Sequence, residues 1–536
     1  MRKNVKKQLA LRVLSTAALM AMVSSIATAA FAEEYDLNKG SVTVETKDNG
    51  NTYVTQANTE TTDHLDTTGV TITSNGDPTS NTITVETAKD QTTNVTLENV
   101  HIETKSSWND SGSAPIEIKG NGDTNLELNG NNIVLSGNKN HAGIEKADVN
   151  GTGTLTIKDD VNDDGKLLAG GYEDSAGIGG GSYHDGKSYG NTSNITITGG
   201  DITAVGGVYG AGIGGGSDED ASNIRIEGNA HVAAFSNSGA GIGSGYFSNG
   251  NSDITITDHA TVEAASLEGC GIGGSRLASG KATITISGNA SVKAEALDSA
   301  AAIGSEQSSA TVNIEDNAAV TAVSHGVAIG TSYGHEYNGG TSTVINITGG
   351  TVNAVTRDES RPAIGTVYGN LDLTINSSTG KTTVNACTTS SDPLSLNIGT
   401  GHYDSSAHKY RTSPSEGAEY NEDGSSNLGE DNAAIINFYR NTTLSTDTDT
   451  SNAHKTLDDF AFHGGASHTL SGKDKDKGDL YKVVHNRKYM EEHPEIVDDI
   501  NKLENSDLHD WQLVGEVVEP TLEKDGYADY VCRIDK

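Results

Sequence analysis

Bulky core residues are scarce in this chain of 536 residues. Aromatic residues make up 5% of it, with two Trp and six Phe, and there are four Met. A wide globular core needs such side chains, so their scarcity favours a narrow core that repeats along the chain. One elongated architecture with a tail explains the length better than several compact domains.

Basic residues are also scarce relative to acidic ones. The chain has 36 Lys and Arg against 73 Asp and Glu, which gives a formal net charge of -37. Such a surface repels nucleic acid and anionic lipid, so neither is expected as a partner. It would attract cations, Ca²⁺ among them, wherever carboxylates converge.

Long apolar runs are missing except for one near the start. Five basic residues precede the apolar run Val13–Ala30, and Ala30-Phe31-Ala32 supplies a small-x-small cleavage pattern before Glu33. Residues 1–32 are therefore predicted to be a signal peptide. A transmembrane anchor is the weaker alternative because the run is short and rich in Ala. We expect a secreted or cell-surface protein that does not insert into a membrane after cleavage.

A repeat occupies most of the remaining chain. The stretch 176–216 begins and ends with the same six residues, AGIGGG. The Ile of this AGIG-like run recurs every 26 to 35 residues, by subtraction of the residue numbers, and a fixed period of this size predicts a solenoid. These Ile residues are Ile144, Ile178, Ile213, Ile242, Ile272, Ile303, Ile329, Ile364 and Ile398.

Two further short runs lie between successive AGIG-like runs. One is NITI-like, as at Ile195 and Ile197, and the other is ITA-like, as at Ile202 and Ala204. Both alternate apolar with polar residues, the pattern of a strand with one buried face, and Gly or Asn separates them. Stacked coils of this kind form an all-β, right-handed parallel β-helix with three strands per coil of about 30 residues. Low-complexity disorder is the alternative, and the constant order of the three runs opposes it.

The pattern divides the chain into six parts. We predict a signal peptide (1–32), an N-terminal cap or irregular first coils (33–94), the β-helix (95–400), a C-terminal loop with closing strands (401–470), a linker with a short helix (471–505) and a small terminal module (506–536). Cys270 replaces the Ala of an AGIG-like run and is predicted to be a small core residue. Cys387 lies three to four coils further on, about 15–20 Å away, which is too far for a disulfide.

The loop after each AGIG-like run is the longest of its coil, and several of these loops carry aromatic residues and His. Stacking would bring the loops to one edge, where exposed rings can stack on sugar faces and polar groups can bind hydroxyls. A glycan-binding ridge is one hypothesis, and packing of each ring against the next loop is the other. The candidate ridge residues are Tyr183, His184, Tyr246, Phe247, Tyr333, His335, Tyr337, Tyr368, His402 and Tyr403.

Two acidic loops are candidate Ca²⁺ sites. Residues 159–164 have part of the Asp and Asn spacing of a calcium loop but lack its terminal Glu, and residues 218–220 form a second cluster. Solvated surface charge is the favoured interpretation of both loops. The candidate metal ligands are Asp159, Asp163, Asp218 and Asp220.

The repeats offer no clear catalytic arrangement. β-Helix lyases and hydrolases of acidic polysaccharides need clustered Asp with Arg or Lys on one face. The arginines Arg225, Arg276, Arg357 and Arg361 do not occupy equivalent coil positions, and Arg225 is predicted to point outward from its strand. No catalytic residue is assigned.

The AGIGGG…ITITGG…ITA repeat resembles that of secreted or surface β-helix proteins of Firmicutes, which are pectate-lyase-like solenoids. The likeness covers residues 95–400 and implies a carbohydrate-binding or adhesin-like protein. The tail resembles a His-x-Trp…Pro-Thr…Gly-x-x-x-Tyr-x-Cys module of secreted Firmicute proteins, without that module's second Cys. The matching residues are His509, Trp511, Pro520, Thr521, Gly526, Tyr530 and Cys532.

Three functions remain open at this point. The sequence favours a monomeric binding protein for polysaccharides or host glycans. A lyase or glycoside hydrolase acting on an acidic polysaccharide is the second possibility. A structural stalk without a ligand is the third.

Overall fold

The computed structural model describes residues 33–375 apart from 106–111, 149–150, 162, 183–190, 333–340, 358–360 and 368–369. Beyond them it describes Thr379 and short strands between residues 382 and 532. Within these residues the protein is an all-β solenoid with very little helix, which includes a 3₁₀ turn at Leu37–Lys39.

Each coil passes through three parallel sheets in the order A, C, B. For example, β16 (Thr192–Ile197) lies in sheet A, β17 (Asp201–Val205) in sheet C and β18 (Ile213–Gly214) in sheet B. The next strand, β19 (Ala221–Ile226), returns to sheet A and pairs in parallel with β16. The predicted parallel β-helix with three strands per coil is confirmed.

Sheet A is the longest wall and contains the NITI-like runs. In chain order it comprises β1 (Glu33–Asp36), β5 (Val70–Thr73), β7 (Thr92–Glu98), β10 (Asp123–Asn129), β13 (Leu155–Lys158), β16, β19, β22 (Ser252–Ile256), β25 (Ala282–Ile286), β28 (Ala310–Ile314), β31 (Ser342–Ile347), β34 (Asn370–Ile375), β40 (Ala434–Phe438), β42 (Leu470–Ser471) and β43 (Tyr481–His485).

Sheet C contains the ITA-like runs. It comprises β8 (His101–Glu103), β11 (Asn131–Leu135), β14 (Lys166–Gly170), β17, β20 (His231–Ser236), β23 (Thr261–Ser266), β26 (Ser291–Ala296), β29 (Ala319–Ser324), β32 (Gly350–Thr356), β35 (Thr382–Thr388) and β41 (Thr442–Ser445).

Sheet B contains the AGIG-like runs, and its strands in the regular coils have two or three residues. It comprises β2 (Val42–Thr46), β3 (Thr52–Gln56), β4 (His64–Asp66), β6 (Ile83–Thr87), β9 (Ile116–Gly120), β12 (Ile144–Glu145), β15 (Ile178–Gly179), β18, β21 (Ile242–Gly243), β24 (Ile272–Gly273), β27 (Ile303–Ser305), β30 (Ile329–Thr331), β33 (Ile364–Thr366) and β36 (Ile398–Thr400).

The core is a set of stacked columns along the solenoid axis. Ile178 pairs in register with Ile213, Ile213 with Ile242 and Ile242 with Ile272, and all four are fully buried. The Ile residues predicted to share one column therefore do so. Burial of this column is shared between coils, so each coil depends on its neighbours for stability.

The glycine after each Ile of sheet B permits close stacking of the coils. Gly243 has a φ of 138°, and a Cβ placed there would lie 2.0 Å from the carbonyl oxygen of Gly273. Only glycine adopts this conformation without strain. The two-residue strand and its glycine therefore fix how closely sheet B packs.

Coil stacking begins at the first described residue. Strands β1 and β2 pair in parallel with β5 and β6, while β2, β3 and β4 form an antiparallel extension of sheet B. This arrangement lies in the part predicted to be irregular first coils or a cap.

The C-terminal strands close the solenoid and correct one prediction. Strands β40 and β41 add in parallel to β34 and β35, as expected of closing strands. The predicted short helix is wrong at Tyr481–His485, because β43 is a strand that pairs antiparallel with β40; residues 486–510 lie outside the described residues.

Two small antiparallel sheets complete the described strands. They are formed by β37 (His402–Asp404), β38 (Lys409–Arg411) and β39 (Glu419–Tyr420), and by β44 (Trp511–Leu513) and β45 (Tyr530–Cys532). In the second sheet, Trp511 and Cys532 of the terminal module are paired in register.

Cys270 is a free and fully buried thiol, which confirms its prediction as a small core residue. It packs with Ala296, Ala300 and Ala301 in a small apolar cluster separate from the central columns. Burial raises the pKa of the thiol well above its ordinary value, so it is protonated and unreactive at neutral pH.

Candidate functional site

The loops before and after the strands of sheet B contact each other, because these strands are so short. We call the loop before each sheet B strand the upstream loop and the loop after it the downstream loop. The amide of Tyr246, in the downstream loop of β21, donates a hydrogen bond of 2.9 Å to the carbonyl of Tyr209, in the upstream loop of β18. The amides of Ser217 and Arg276 make the equivalent bonds to the carbonyls of Asp174 and Ser238. We call the surface formed by these loops the B face.

The residues that join the loops of the B face occupy fixed positions relative to the Ile of sheet B. Each downstream residue that makes this bond lies four positions after the sheet B Ile, and each upstream acceptor lies four positions before the Ile of the preceding coil. Side chains at these two positions are therefore held next to each other by backbone bonds between coils. Their identity changes from coil to coil while the backbone arrangement persists.

An exposed aromatic cluster occupies two adjacent coils of the B face. The ring centroids of Tyr209 and Tyr246 are 5.1 Å apart with a 45° interplanar angle, and Tyr246 and Phe247 make an edge contact at 5.0 Å. Phe247 is 46% exposed and Tyr209 36% exposed. They account for two of the four large apolar or aromatic side chains exposed in the described part of the chain, with Leu65 and Val161. We call Tyr209, Tyr246 and Phe247 the aromatic cluster.

The turn that presents Phe247 is strained. Phe247 has a φ of 64°, and the equivalent Asp218 and Leu277 of neighbouring coils have φ values of 65° and 59°. The left-handed region is unfavourable for bulky L-residues and persists only where the surroundings hold it. Here the amides of Asp218 and Phe247 each bond to a backbone carbonyl of the next coil, at 2.7 and 3.1 Å. The fold thus keeps a large ring exposed at a position that favours glycine.

The series of backbone bonds between successive downstream turns ends at Glu306. The downstream segment from Ile303 to Ala310 is three residues shorter, by subtraction, than that from Ile272 to Ala282. The amide of Leu277 therefore donates to the Glu306 carboxylate Oε2, at 2.6 Å, where earlier coils use a carbonyl. Glu306 is only 6% exposed, and this burial raises its pKa to about 7, although Leu277 and the nearby Arg276 and Arg361 act in the opposite direction.

A charged pair lies one coil beyond the aromatic cluster. The Arg276 guanidinium contacts Glu268 Oε2 at 2.6 Å, and the Ser238 hydroxyl donates to the same oxygen at 2.9 Å. Burial alone would lower the pKa of Arg276, but Glu268, Glu306 and the Tyr246 phenol raise it above its ordinary value. We call Arg276 and Glu268 the Arg–Glu pair.

The other predicted ridge residues have varied outcomes. Tyr246 and Phe247 form the cluster with Tyr209, which was not among the predicted ridge residues because it lies in an upstream loop. His402 and Tyr403 lie on β37, which directly follows β36 of sheet B and pairs antiparallel with β38, and only their backbone is described. Outside the described residues lie Tyr183, His184, Tyr333, His335, Tyr337 and Tyr368.

The candidate metal ligands lie on two separate corners. Asp159 and Asp163 belong to the turn between sheets A and C, where Asp159 Oδ2 accepts a bond from the Gly165 amide at 2.8 Å. Asp218 and Asp220 belong to the downstream loop of β18. Burial raises the pKa of both Asp159 and Asp220, which opposes their ionisation. Across the residues that the structure describes, no three His, Cys, Asp or Glu side chains converge as metal ligands do.

A buried polar group in the coil of β12 was also missed. Glu145 stands where later coils have glycine, is fully buried, and its Oε2 lies 2.8 Å from His141 Nδ1 and accepts the Ala142 amide at 3.2 Å. The adjacent Lys146 is buried as well, which lowers its pKa, and its Nζ donates to the Gly151 carbonyl at 3.0 Å. The sequence signal for this group was the run IEKA at residues 144–147, where later coils have Ile followed by glycines. These bonds between neighbouring segments describe a buried structural network.

The arginines of the solenoid bind to the protein itself. Arg225 points outward, as predicted, and pairs at 2.6 Å with Glu227, which lies just beyond the end of β19. Arg357 lies 3.6 Å from Glu295, and the Arg361 guanidinium donates to the Ser299 carbonyl at 3.0 Å. These interactions do not assemble a lyase-like arrangement of Arg and Asp.

Comparison with known proteins supports the fold. Residues 195–217, 254–276 and 345–366 match a family model described as a beta helix repeat. The first segment contains Tyr209 and the second contains the Arg–Glu pair. No curated protein and no solved structure matches the chain. Among the described residues, no helix is both long and apolar enough to cross a bilayer.

Proposed function

We propose that this protein is a secreted or cell-surface binding protein, acting as a monomer, whose B face recognises glycans. The aromatic cluster is the observation that carries the proposal. β-Helix repeats are common in polysaccharide-binding or lyase-like surface proteins, and the signal-like residues 1–32 agree with export.

The strain at Phe247 supports a binding role for the aromatic cluster. A residue that served only packing would be buried, and a turn with this φ would be more stable with glycine. Instead, the loop keeps an exposed ring at this position, and the turn is less stable than it would be with glycine. Exposed aromatic rings on a rigid surface provide apolar faces for the C–H groups of sugars, while their polar surroundings can bind hydroxyl groups.

The test is a glycan array with the full chain and its Phe247→Gly variant. Glycine removes the ring while it suits the backbone, so we expect binding to fall at least tenfold with an unchanged or higher melting temperature. Tyr209→Ala should weaken binding as well. Val161→Ala, which truncates a residue that is 68% exposed on the corner between sheets A and C, is the matched control and should bind like the original protein.

Two results would contradict the proposal. Failure of the original protein to bind any glycan on the array would favour a structural stalk. Full binding by Phe247→Gly and Tyr209→Ala would remove the aromatic cluster as the site.

A further inference from the structure

The backbone arrangement of the B face extends one coil past the aromatic cluster, to the bond from the Arg276 amide to the Ser238 carbonyl. Arg276 occupies the same position relative to Ile272 as Tyr246 does relative to Ile242, and Glu268 corresponds to Tyr209 in the same way. The Phe247 amide bonds to the Arg276 carbonyl at 3.1 Å, so the two downstream turns are joined directly. Adjacent strands of a sheet lie about 4.8 Å apart, which places the Arg–Glu pair one such step along the axis from the cluster.

The Arg–Glu pair offers donors and acceptors together. The guanidinium has five N–H donors in a fixed fork, and the side chain of Arg276 is 38% exposed. Glu268 is more deeply set and is held by both Arg276 and the Ser238 hydroxyl. A sugar hydroxyl both donates and accepts a hydrogen bond, so two neighbouring hydroxyls match a fixed donor beside a fixed acceptor.

The charges around the pair disfavour an anionic ligand. Glu268 compensates Arg276 at 2.6 Å, and the whole chain has a net charge of -37. A carboxylate on the ligand would compete with Glu268 for the guanidinium and approach a strongly acidic surface.

On the basis of the proposed function, we infer that the B face binds a neutral oligosaccharide along the solenoid axis. One sugar residue stacks on the aromatic cluster, and the vicinal hydroxyls of the next bind to Arg276 and Glu268. Arg276 and Glu268 thereby determine specificity for neutral over acidic chains.

The experiment compares neutral and acidic versions of the same polymer. The probes are oligogalacturonides and their fully methyl-esterified forms, together with cello-, xylo- and manno-oligosaccharides, titrated by calorimetry against the full chain at two salt concentrations. We expect the best neutral oligosaccharide to bind at least tenfold more tightly than any oligogalacturonide, and esterification to improve binding. Low salt should not reverse this order.

Two substitutions test the roles of the pair. Arg276→Lys, which keeps the charge but loses the fork, should weaken neutral binding about tenfold. Glu268→Gln leaves the guanidinium uncompensated, so it should shift the preference toward the acidic probe by at least fivefold. Arg225→Lys and Glu227→Gln alter a pair with the same 2.6 Å contact on sheet A and should change neither affinity nor preference.

The outcomes separate this inference from the proposed function. Tighter binding of the acidic probes, or unchanged affinity and preference in both Arg–Glu pair variants while Phe247→Gly abolishes binding, would overturn the inference and leave the glycan-binding function intact. Absence of binding to every glycan would remove both. Melting temperatures within a few degrees of the original protein exclude misfolding as the cause of any loss.

Discussion

Single residues at the B face depart from the repeat in ways that the core does not require. Phe247 and Leu277 adopt a left-handed backbone that suits glycine better, and Glu306 is a buried carboxyl bound to the amide of Leu277. The repeat pattern predicted which residues are buried but not these conformations. A positive φ at Phe247 follows from hydrogen bonds between coils, which a single loop sequence does not encode.

Glu306 makes the stability of the solenoid depend on pH. Its folded pKa of about 7 is above its ordinary value of 4.5, so the folded state holds a proton that the unfolded state releases. The contribution is fully favourable below about pH 4.5 and is lost as the pH rises through 7. We expect Glu306→Gln to stabilise the protein at pH 8, by at most about 3 kcal/mol, and to leave it nearly unchanged at pH 4.

The measurement is the melting temperature of both proteins between pH 4 and pH 8. Glu227→Gln, which changes a carboxylate on the outer surface of sheet A, is the control and should follow the original curve. Parallel curves for the original protein and Glu306→Gln would show that Glu306 does not titrate in this range.

At the scale of the strand, sheet B depends on its glycines. A Cβ at Gly243 would lie 2.0 Å from the carbonyl oxygen of Gly273, a rigid backbone atom, and the φ of 138° disfavours any side chain. We therefore expect Gly243→Ala to destabilise the protein by about 3 kcal/mol or more, because the coils must separate locally.

Gly274→Ala is the matched comparison. Its added Cβ would meet the Ser305 hydroxyl at 3.1 Å, a movable side-chain atom, and its φ is ordinary. Chemical denaturation should show a loss within about 1 kcal/mol for this variant. Equal losses in the two variants would contradict the role of close stacking in sheet B.

The strands were predictable to the extent that their apolar columns repeat. Alternation located the strands of sheets A and C, and the recurring Ile located sheet B even though its strands have two or three residues. The segment Tyr481–His485 was misassigned because its strand is specified by pairing with β40, a contact with no local signal. Tyr209 was missed for a related reason, since it reaches Tyr246 only through the stacking of successive coils.

The whole molecule is a one-dimensional array in which each coil contacts its neighbours. Ile242 and Ile272 are in direct register, whereas Ile178 and Ile303 lie four coils apart. Substitutions to Ala at the adjacent pair should therefore interact by 0.5 kcal/mol or more, while those at the distant pair should add within about 0.5 kcal/mol.

Chemical denaturation of the four single and two double variants measures these interaction energies. The single variants should each lose about 2–5 kcal/mol, as expected for buried Ile to Ala changes. Equal interaction energies for the near and far pairs would contradict nearest-neighbour coupling between coils.

Because backbone bonds hold the successive loops of the B face together, the arrangement of these loops does not depend on which side chains they carry. In each of these coils, main-chain atoms set the places of two side chains, so either side chain can be exchanged while the apolar columns behind them stay the same. Ser217, Tyr246 and Arg276 already show how far that exchange extends at one of the two places. The solenoid is thus a scaffold on which the side chains of this face can be substituted coil by coil, by evolution or by design. Such substitutions would give a different surface without a change of fold.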